Sequence, residues 1–370
     1  MRTFFLRHRK LHSWLLADLA LLAAFWLTRG NRKWMNALAE HVTGPLRQAL
    51  GRLCYRTDIS VMEVLVVLAV LAGIGYVIGS AAAVVRAKGR RGDRAYSAVL
   101  GAVCVILAVY AGFCLLWGVN FWTDSFQDRS GIYAQPVAQS DLLAVTEYFA
   151  ERTAEAADRV PRDENGLFAV SREEILADST AVYDRLEETY PFLAFDDPGV
   201  KAMAFSRLMS RLDFTGFYCA WTGESNVNVD SPACLLPATV AHELAHQRGI
   251  ASEQECNFLG VLASTTSGLP AYEYSGWLSG YIYLGNALYR EDPEAYWAIR
   301  DAMPDTVKTD LAYNNAYWAQ FRDSVVQTVS NQVYDGLLKA YGDERGIQSY
   351  GTVVDLLVVY YRNAAAPAES

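Results

Sequence analysis

The sequence predicts a mainly α protein in which three N-terminal transmembrane helices precede a larger α+β domain with a small sheet. Residues 61–85 and 95–119 are long apolar runs, no comparable run follows Trp122, and apolar positions three and four apart recur through the remainder. A chain of 370 residues that is 52% hydrophobic and 20% charged, with mean hydropathy +0.08, is more apolar than an ordinary soluble protein. That composition excludes a disordered tail or a fibrous repeat.

The first candidate span, residues 13–28, is apolar except for Asp18 and follows Arg2, Arg7, Arg9 and Lys10. A cleaved signal peptide is the alternative, disfavoured because no small-x-small site follows and two more spans do. Residues 61–85 contain only Glu63 as a charge and residues 95–119 contain none, so each meets the roughly 20 residues a hydrocarbon core requires. Residues 1–119 thus read as a membrane anchor and 120–370 as a separate domain. Arg86, Lys88, Arg90, Arg91 and Arg94 crowd the link between the second and third spans, which the positive-inside rule assigns to the cytoplasm. The expectation is a multi-pass protein with an extracytoplasmic C-terminal domain. Residues 29–60 then lie outside despite Arg29, Arg32, Lys33, Arg47, Arg52 and Arg56. Their apolar positions Trp34, Leu38, Val42, Leu46, Leu50 and Leu53 recur at helical spacing, which suits a basic helix on anionic lipid and, equally, a solvated linker helix.

Residues 1–119 carry 15 Lys/Arg against 5 Asp/Glu, and residues 120–370 carry 17 against 36. So acidic a domain excludes nucleic acid as its partner, because phosphate binding needs a concentrated basic face. The lipid bilayer is the expected partner of the basic half. Helical patterning covers 139–158 and 171–189, with breaks at Pro161 and at 163–166. Phe214 to Val229 alternates like a short β region, and helix signals return from Pro237, through 306–340, to the tail Ser349 to Arg362. The six cysteines lack zinc-ribbon spacing, and Cys104 and Cys114 read as small apolar side chains in a span. Cys219 and Cys234 would share the outer compartment and could close a disulfide, which geometry decides.

The segment that carries chemistry is 235–259, LLPATVAHELAHQRGIASEQECNFL, which holds His242-Glu243-Leu244-Ala245-His246. Residues four apart lie one helical turn apart, so both imidazoles can face one Zn²⁺ while Glu243 reaches a water beside it. Pro237 suits the first turn of that helix and Gly249 its left-handed stop. Of five histidines, only His242 and His246 lie in the acidic domain, which favours metal over packing. A hydrolytic zinc site needs a third protein ligand and an open position for water. Ser252 can cap a second helix with Glu255 completing a capping box, which leaves Glu253 as the favoured third ligand and Glu255 as the fallback. Asn257, one turn beyond Glu253, could hydrogen-bond a ligand from behind, and Cys256 is a weaker candidate on another face.

HELAH followed by ExExN resembles the zincin metallopeptidases of the Glu-ligand type. The resemblance implies a zincin-like domain with His242, His246 and Glu253 as zinc ligands and Glu243 as general base. Most such enzymes place a longer insertion between the second His and the Glu. HExxHxxG also matches the metzincin opening, but Ser252 stands where a third His would be. The chain as a whole resembles an uncharacterised family of bacterial membrane proteins with three N-terminal spans and an outer HExxH domain. That likeness rests on WGVNF at 117–121, WTGESNVN at 221–228, AHELAHQRG, ASEQECNFLG and GIQSYGTVVDLL at 346–357. It implies the bacterial plasma membrane and supplies no substrate.

The expected activity is therefore zinc-dependent hydrolysis of peptide bonds in an extracytoplasmic peptide or protein. Zinc peptidases commonly bind substrate as a strand added to a sheet edge, and Gly223 to Val229, with Glu224, Asn226 and Asn228, has suitable character to line the cleft. The rival for those polar residues is turn formation. Tyr274, Tyr313 and Arg248 are candidates to stabilise an oxyanion. Too little apolar length surrounds the motif for it to lie within the bilayer. The competing class is a membrane-anchored binding or sensing protein whose metal site is structural or lost, for which Glu255 or Cys256 would close the site as a fourth ligand.

Overall fold

The structure, a computed structural model, describes residues 2–196, 198–322, 332, 336 and 350–366. The chain divides into two compact units. One comprises Met1–Leu50, Val61–Thr123 and Ala220–Thr222; the other comprises Gly51–Ser60, Asp124–Cys219 and Gly223–Ser370.

The first unit contains α1 (Arg2–Arg7), α2 (Arg9–Thr28), α3 (Arg32–Leu38), a π turn (Ala39–Thr43), most of α4 (Gly44–Cys54), α5 (Val61–Arg86) and α6 (Arg91–Leu116). Helices α2, α5 and α6 are each long and apolar enough to cross a membrane. Their aliphatic side chains, among them Leu27, Leu71, Val77 and Ile106, point outward. In hydrocarbon only intrahelical bonds can satisfy the backbone, so an apolar run of this length folds as helix. Helix α2 begins before the apolar run because Arg9, Lys10 and His12 continue its polar end, where His12 Nε2 lies 2.7 Å from the Tyr96 hydroxyl of α6. Helix α6 ends before residue 119: Trp117 leaves helical geometry (φ −133°, ψ −47°) and a 3-10 turn, Gly118–Trp122, follows.

The second unit contains α7 (Phe126–Ser130), α8 (Gln139–Ala157), α9 (Arg172–Asp178), α10 (Asp184–Thr189), β1 (Lys201–Ala202), α11 (Ser206–Arg211), β2 (Gly216–Cys219) and β3 (Glu224–Val227). Then come α12 (Leu236–Gln247), α13 (Glu253–Thr266), α14 (Pro270–Glu291), α15 (Pro293–Ala302), α16 (Asp305–Ala319) and a C-terminal helix, Tyr350–Ala365. One core joins α8, α12, α13, α14 and the C-terminal helix through Phe149, Leu244, Phe258, Leu262, Tyr272, Leu284 and Leu356. The helix expected over 171–189 is broken at Ser179, whose hydroxyl donates to the Leu176 carbonyl (2.6 Å) in the 3-10 turn Ser179–Ala181. Of the stretch 306–340, α16 is helical to Ala319; residues 323–331, 333–335 and 337–349, with Ser349 of the expected tail, lie outside the described residues.

The sheet has the order β1-β3-β2. β2 and β3 form the hairpin expected within 214–229, antiparallel with Gly216 opposite Val227 and Cys219 opposite Glu224. Two-residue β1 adds in parallel, Lys201 opposite Asn226. β3 is therefore the central strand and cannot accept a further strand. This corrects the expectation that Gly223 to Val229 forms a substrate edge: among the described strands, β2 and β1 are the edges.

Lys201 and Glu224 are both buried, with Nζ 2.6 Å from Oε1. Nζ also donates to the carbonyls of Cys54 and Ile59 at 2.9 Å, and lies over the Tyr55 ring. The loop 51–60 thus folds as part of the second unit, held by a desolvated charge. Removing one member of such a pair strands the other. Lys201→Met in the full-length chain is expected to lower unfolding stability by about 3–5 kcal/mol, and Lys201→Met/Glu224→Gln to recover part of it. Chemical denaturation in detergent measures this; a loss under about 1 kcal/mol would assign the pair the weight of a surface contact.

Candidate metal centre

Helix α12 opens with Leu236 and Pro237 in its first turn, where proline costs no hydrogen bond. It ends where Gly249 turns left-handed (φ 91°) and its N–H returns to the His246 carbonyl (2.9 Å). Ile250 N–H returns to the Ala245 carbonyl, and Ser252 starts α13 by accepting the Glu255 N–H. The reversal brings α13 back along α12. Contact is closest at Gly260, where a Cβ would meet the Ala238 carbonyl at 3.2 Å and His242 Cβ at 3.3 Å. Glu253 lies about two turns before Gly260, on the same face of α13, so it too is directed at α12.

Helical pitch stacks the two imidazoles, with ring centroids 4.9 Å apart. Both present Nε2 to one carboxylate: His242 Nε2 is 3.3 Å from Glu253 Oε2, and His246 Nε2 is 3.4 Å from Glu253 Oε1. One ligand atom from each of the three lies within 4.8 Å of the others. His246 Nδ1 lies 2.8 Å from the Ile250 carbonyl and donates to it, which leaves Nε2 to face Glu253. Burial disfavours the charged ring, but Cys256 and Glu253 hold its pKa well above the usual histidine range, so a metal taken at Nε2 would displace a proton. Burial pushes the Glu253 carboxyl toward its neutral form, but His246 and His242 reverse this and hold it well below the usual carboxylate range. Two imidazole nitrogens and a carboxylate, with no thiolate, are a donor set that fits Zn²⁺.

Glu243 is buried beside this group. Its carboxylate accepts the Tyr218 N–H, while Oε2 has no hydrogen-bond partner among the described residues. Burial raises its pKa, opposed by His242 and His246. The β2 backbone comes so close that a Cβ on Gly216 would lie 2.4 Å from Glu243 Oε1. Asn228 N–H bonds the Thr215 carbonyl (2.9 Å), which fixes the ladder phase, so Gly216 and Tyr218 turn their backbone groups to the outer edge of β2.

The other expected site residues sit elsewhere. Glu255 is not at the imidazoles: its carboxylate accepts the N–H groups of Phe126 (2.9 Å) and Gln127 (3.1 Å), where the first turn of α7 offers unbonded donors. Ser252 therefore caps α13 without the reciprocal half of a capping box. Cys256 Sγ is 3.3 Å from His246 Nδ1, the nitrogen opposite the one facing Glu253, and burial pushes its thiol up to about 12. Asn257 is half-buried, and among the described residues its side chain makes no hydrogen bond to the three. Gly223 is the left-handed turn residue of the hairpin (φ 69°). Glu224, Asn226 and Asn228 are fully buried and do not line a cleft. Glu224 pairs with Lys201, Asn226 Nδ2 donates to the Glu224 carbonyl, and Asn228 Nδ2 donates to Ser210 Oγ and the Phe214 carbonyl.

The oxyanion candidates do not gather at the site. The Tyr274 hydroxyl donates to Asp310 in a buried network with Arg162, the Arg248 guanidinium is buried against Glu187 and Tyr183, and Tyr313 is exposed. Cys219 and Cys234 are free buried thiols, so no disulfide joins them. The sequence reading missed Gly216 and the contact of Cys256 with His246. A glycine inside a strand pattern is the available signal for the first, since it marks close approach of backbone to another group; the second has none, because its contact crosses the turn between helices.

Fold and side-chain cluster define a polytopic helical chain with a His-Glu-x-x-His helix and an acidic partner helix. The chain belongs to the DUF3810 family, described as a protein of unknown function, which it matches over residues 40–358. It matches no curated protein. No solved structure matches it either.

Gly216→Ala should cost about 1–3 kcal/mol of stability by forcing Glu243 aside. In a Glu243→Ala background the same change should cost much less, because the colliding carboxylate is gone. A double-mutant cycle by denaturation measures the coupling, and equal costs in both backgrounds would contradict the contact.

Proposed function

We propose that the chain is a membrane-anchored zinc metallopeptidase that hydrolyses peptide bonds of an extracytoplasmic peptide or protein. The observation that carries this reading is the convergence of His242 Nε2, His246 Nε2 and the two Glu253 oxygens, with Glu243 Oε2, which has no hydrogen-bond partner among the described residues, buried alongside. Glu255 and Cys256 are occupied elsewhere, so nothing among the described residues supplies the fourth protein ligand that a closed structural site requires. This favours hydrolysis over a non-catalytic binding or sensing role.

His242, His246 and Glu253 would hold the ion. When bound, zinc supplies Lewis acidity, lowering the pKa of water toward about 7 and polarising a carbonyl. The remaining work falls to the chain. The Ile250 carbonyl fixes the His246 tautomer. Glu243 takes a proton from the attacking water at Oε2 and returns it to the leaving amine. The outer edge of β2, to which Gly216 directs its backbone groups and Tyr218 its carbonyl, receives the extended peptide as an added strand, while the Tyr218 N–H stays with Glu243. The basic link at 86–94 orients the spans with this domain outside the plasma membrane of a bacterium. The bilayer and a peptide are the partners of this reading, and nucleic acid is not.

The test uses the full-length protein in detergent, because residues 51–60 belong to the second unit. Wild type and Glu243→Gln should each retain about one zinc per chain, and His246→Ala should lose it. Cleavage of a fluorogenic peptide library should fall about 10²–10⁴-fold in Glu243→Gln. Full zinc in His246→Ala would remove the metal centre; unchanged cleavage by Glu243→Gln would remove the assigned base.

A further inference from the structure

The first unit carries an apolar face that belongs to none of its spans. In α3, the π turn and the start of α4, one side packs inward: Met35 is buried, the Thr43 hydroxyl donates to the Leu115 carbonyl in the last turn of α6 (2.8 Å), and Arg47 lies over the Trp117 ring. The other side exposes Trp34 (67%), Val42 (43%) and Leu46 (40%).

The π turn explains how those three share a face. Positions four apart drift by about 40° per step on an α-helix, so the series 34, 38, 42, 46 would wind away from its starting direction. In the π turn the Gly44 N–H reaches back five residues to the Ala39 carbonyl, and the extra residue in that turn reverses the drift. Gly44 suits the place, since a Cβ there would lie 3.0 Å from the Ala39 oxygen.

We propose that the Trp34–Val42–Leu46 face lies in the headgroup layer of an anionic phospholipid bilayer, as an interfacial anchor beside the spans. Three observations favour lipid. The face follows the end of a span within a few residues: the last turn of α2 exposes Trp26 and Leu27 just before α3 begins. The Thr43–Leu115 bond fastens it to the end of a span. Arg32 and Lys33 stand exposed beside Trp34, and residues 32–50 contain only Glu40 as an acid, which complements anionic headgroups. Tryptophan at such a boundary places an apolar ring and a polar N–H where each is solvated.

The test places a photo-crosslinking p-benzoylphenylalanine at 34, 42 or 46, and at Glu40 as control, in the full-length protein in phosphatidylcholine/phosphatidylglycerol liposomes. All four sites are exposed, so the substitutions leave packing intact. Mass spectrometry should find phospholipid adducts at 34, 42 and 46 in several-fold higher yield than at 40. Yields no higher than at 40, as for a solvated linker, overturn the proposal, as do crosslinks to a second chain in place of lipid.

Discussion

The candidate site depends on one constraint: two helices must pass closely enough for a single carboxylate to address two imidazoles at once. Helical pitch stacks His242 and His246 whatever the rest of the chain does. Only the tight reversal at Gly249 and the close approach at Gly260 bring Glu253 to them. A side chain at 260 would push against the α12 backbone and carry Glu253 away with the helix. The chemistry of α12 is thus set by the packing of α13.

Around that contact, buried polar groups are committed one by one. His246 is oriented by the Ile250 carbonyl with Cys256 behind it, Glu243 is held by the Tyr218 N–H against Gly216, and Glu255 caps α7. Each commitment removes a group from the list of possible ligands while fixing another in place. The Ser225 hydroxyl ties β3 to the Glu243 carbonyl (3.0 Å), and the Tyr55 hydroxyl accepts the Ser225 N–H (3.0 Å). The loop 51–60 is therefore wired to the same strand and helix, which is why the second unit cannot be defined by a single cut in the sequence.

What was legible in the sequence was what is local. Long apolar runs announce helices α5 and α6, the four-residue spacing of histidines stacks them, and Pro237, Gly249 and Ser252 bound α12 and α13 through backbone preferences of single residues. Capping at Ser252 separates Glu253 from Glu255 only in part, because Glu255 is used by α7, a partner 129 positions away that no local pattern encodes. Strand order failed for the same reason. Glu224, Asn226 and Asn228 look like polar edge residues, but β1 is two residues long and leaves no pattern, so nothing announced that it covers β3. The π turn was equally hidden, because an apolar stripe at four-residue spacing reads as an ordinary helix until the hydrogen bonds are seen.

X-ray absorption at the zinc edge of the zinc-loaded, full-length protein tests the central claim most directly. A His242–His246–Glu253 site gives a first shell of nitrogen and oxygen alone at about 2.0–2.1 Å, with outer-shell scattering from two imidazoles. A sulfur shell near about 2.3 Å, or scattering from fewer than two imidazoles, would contradict it.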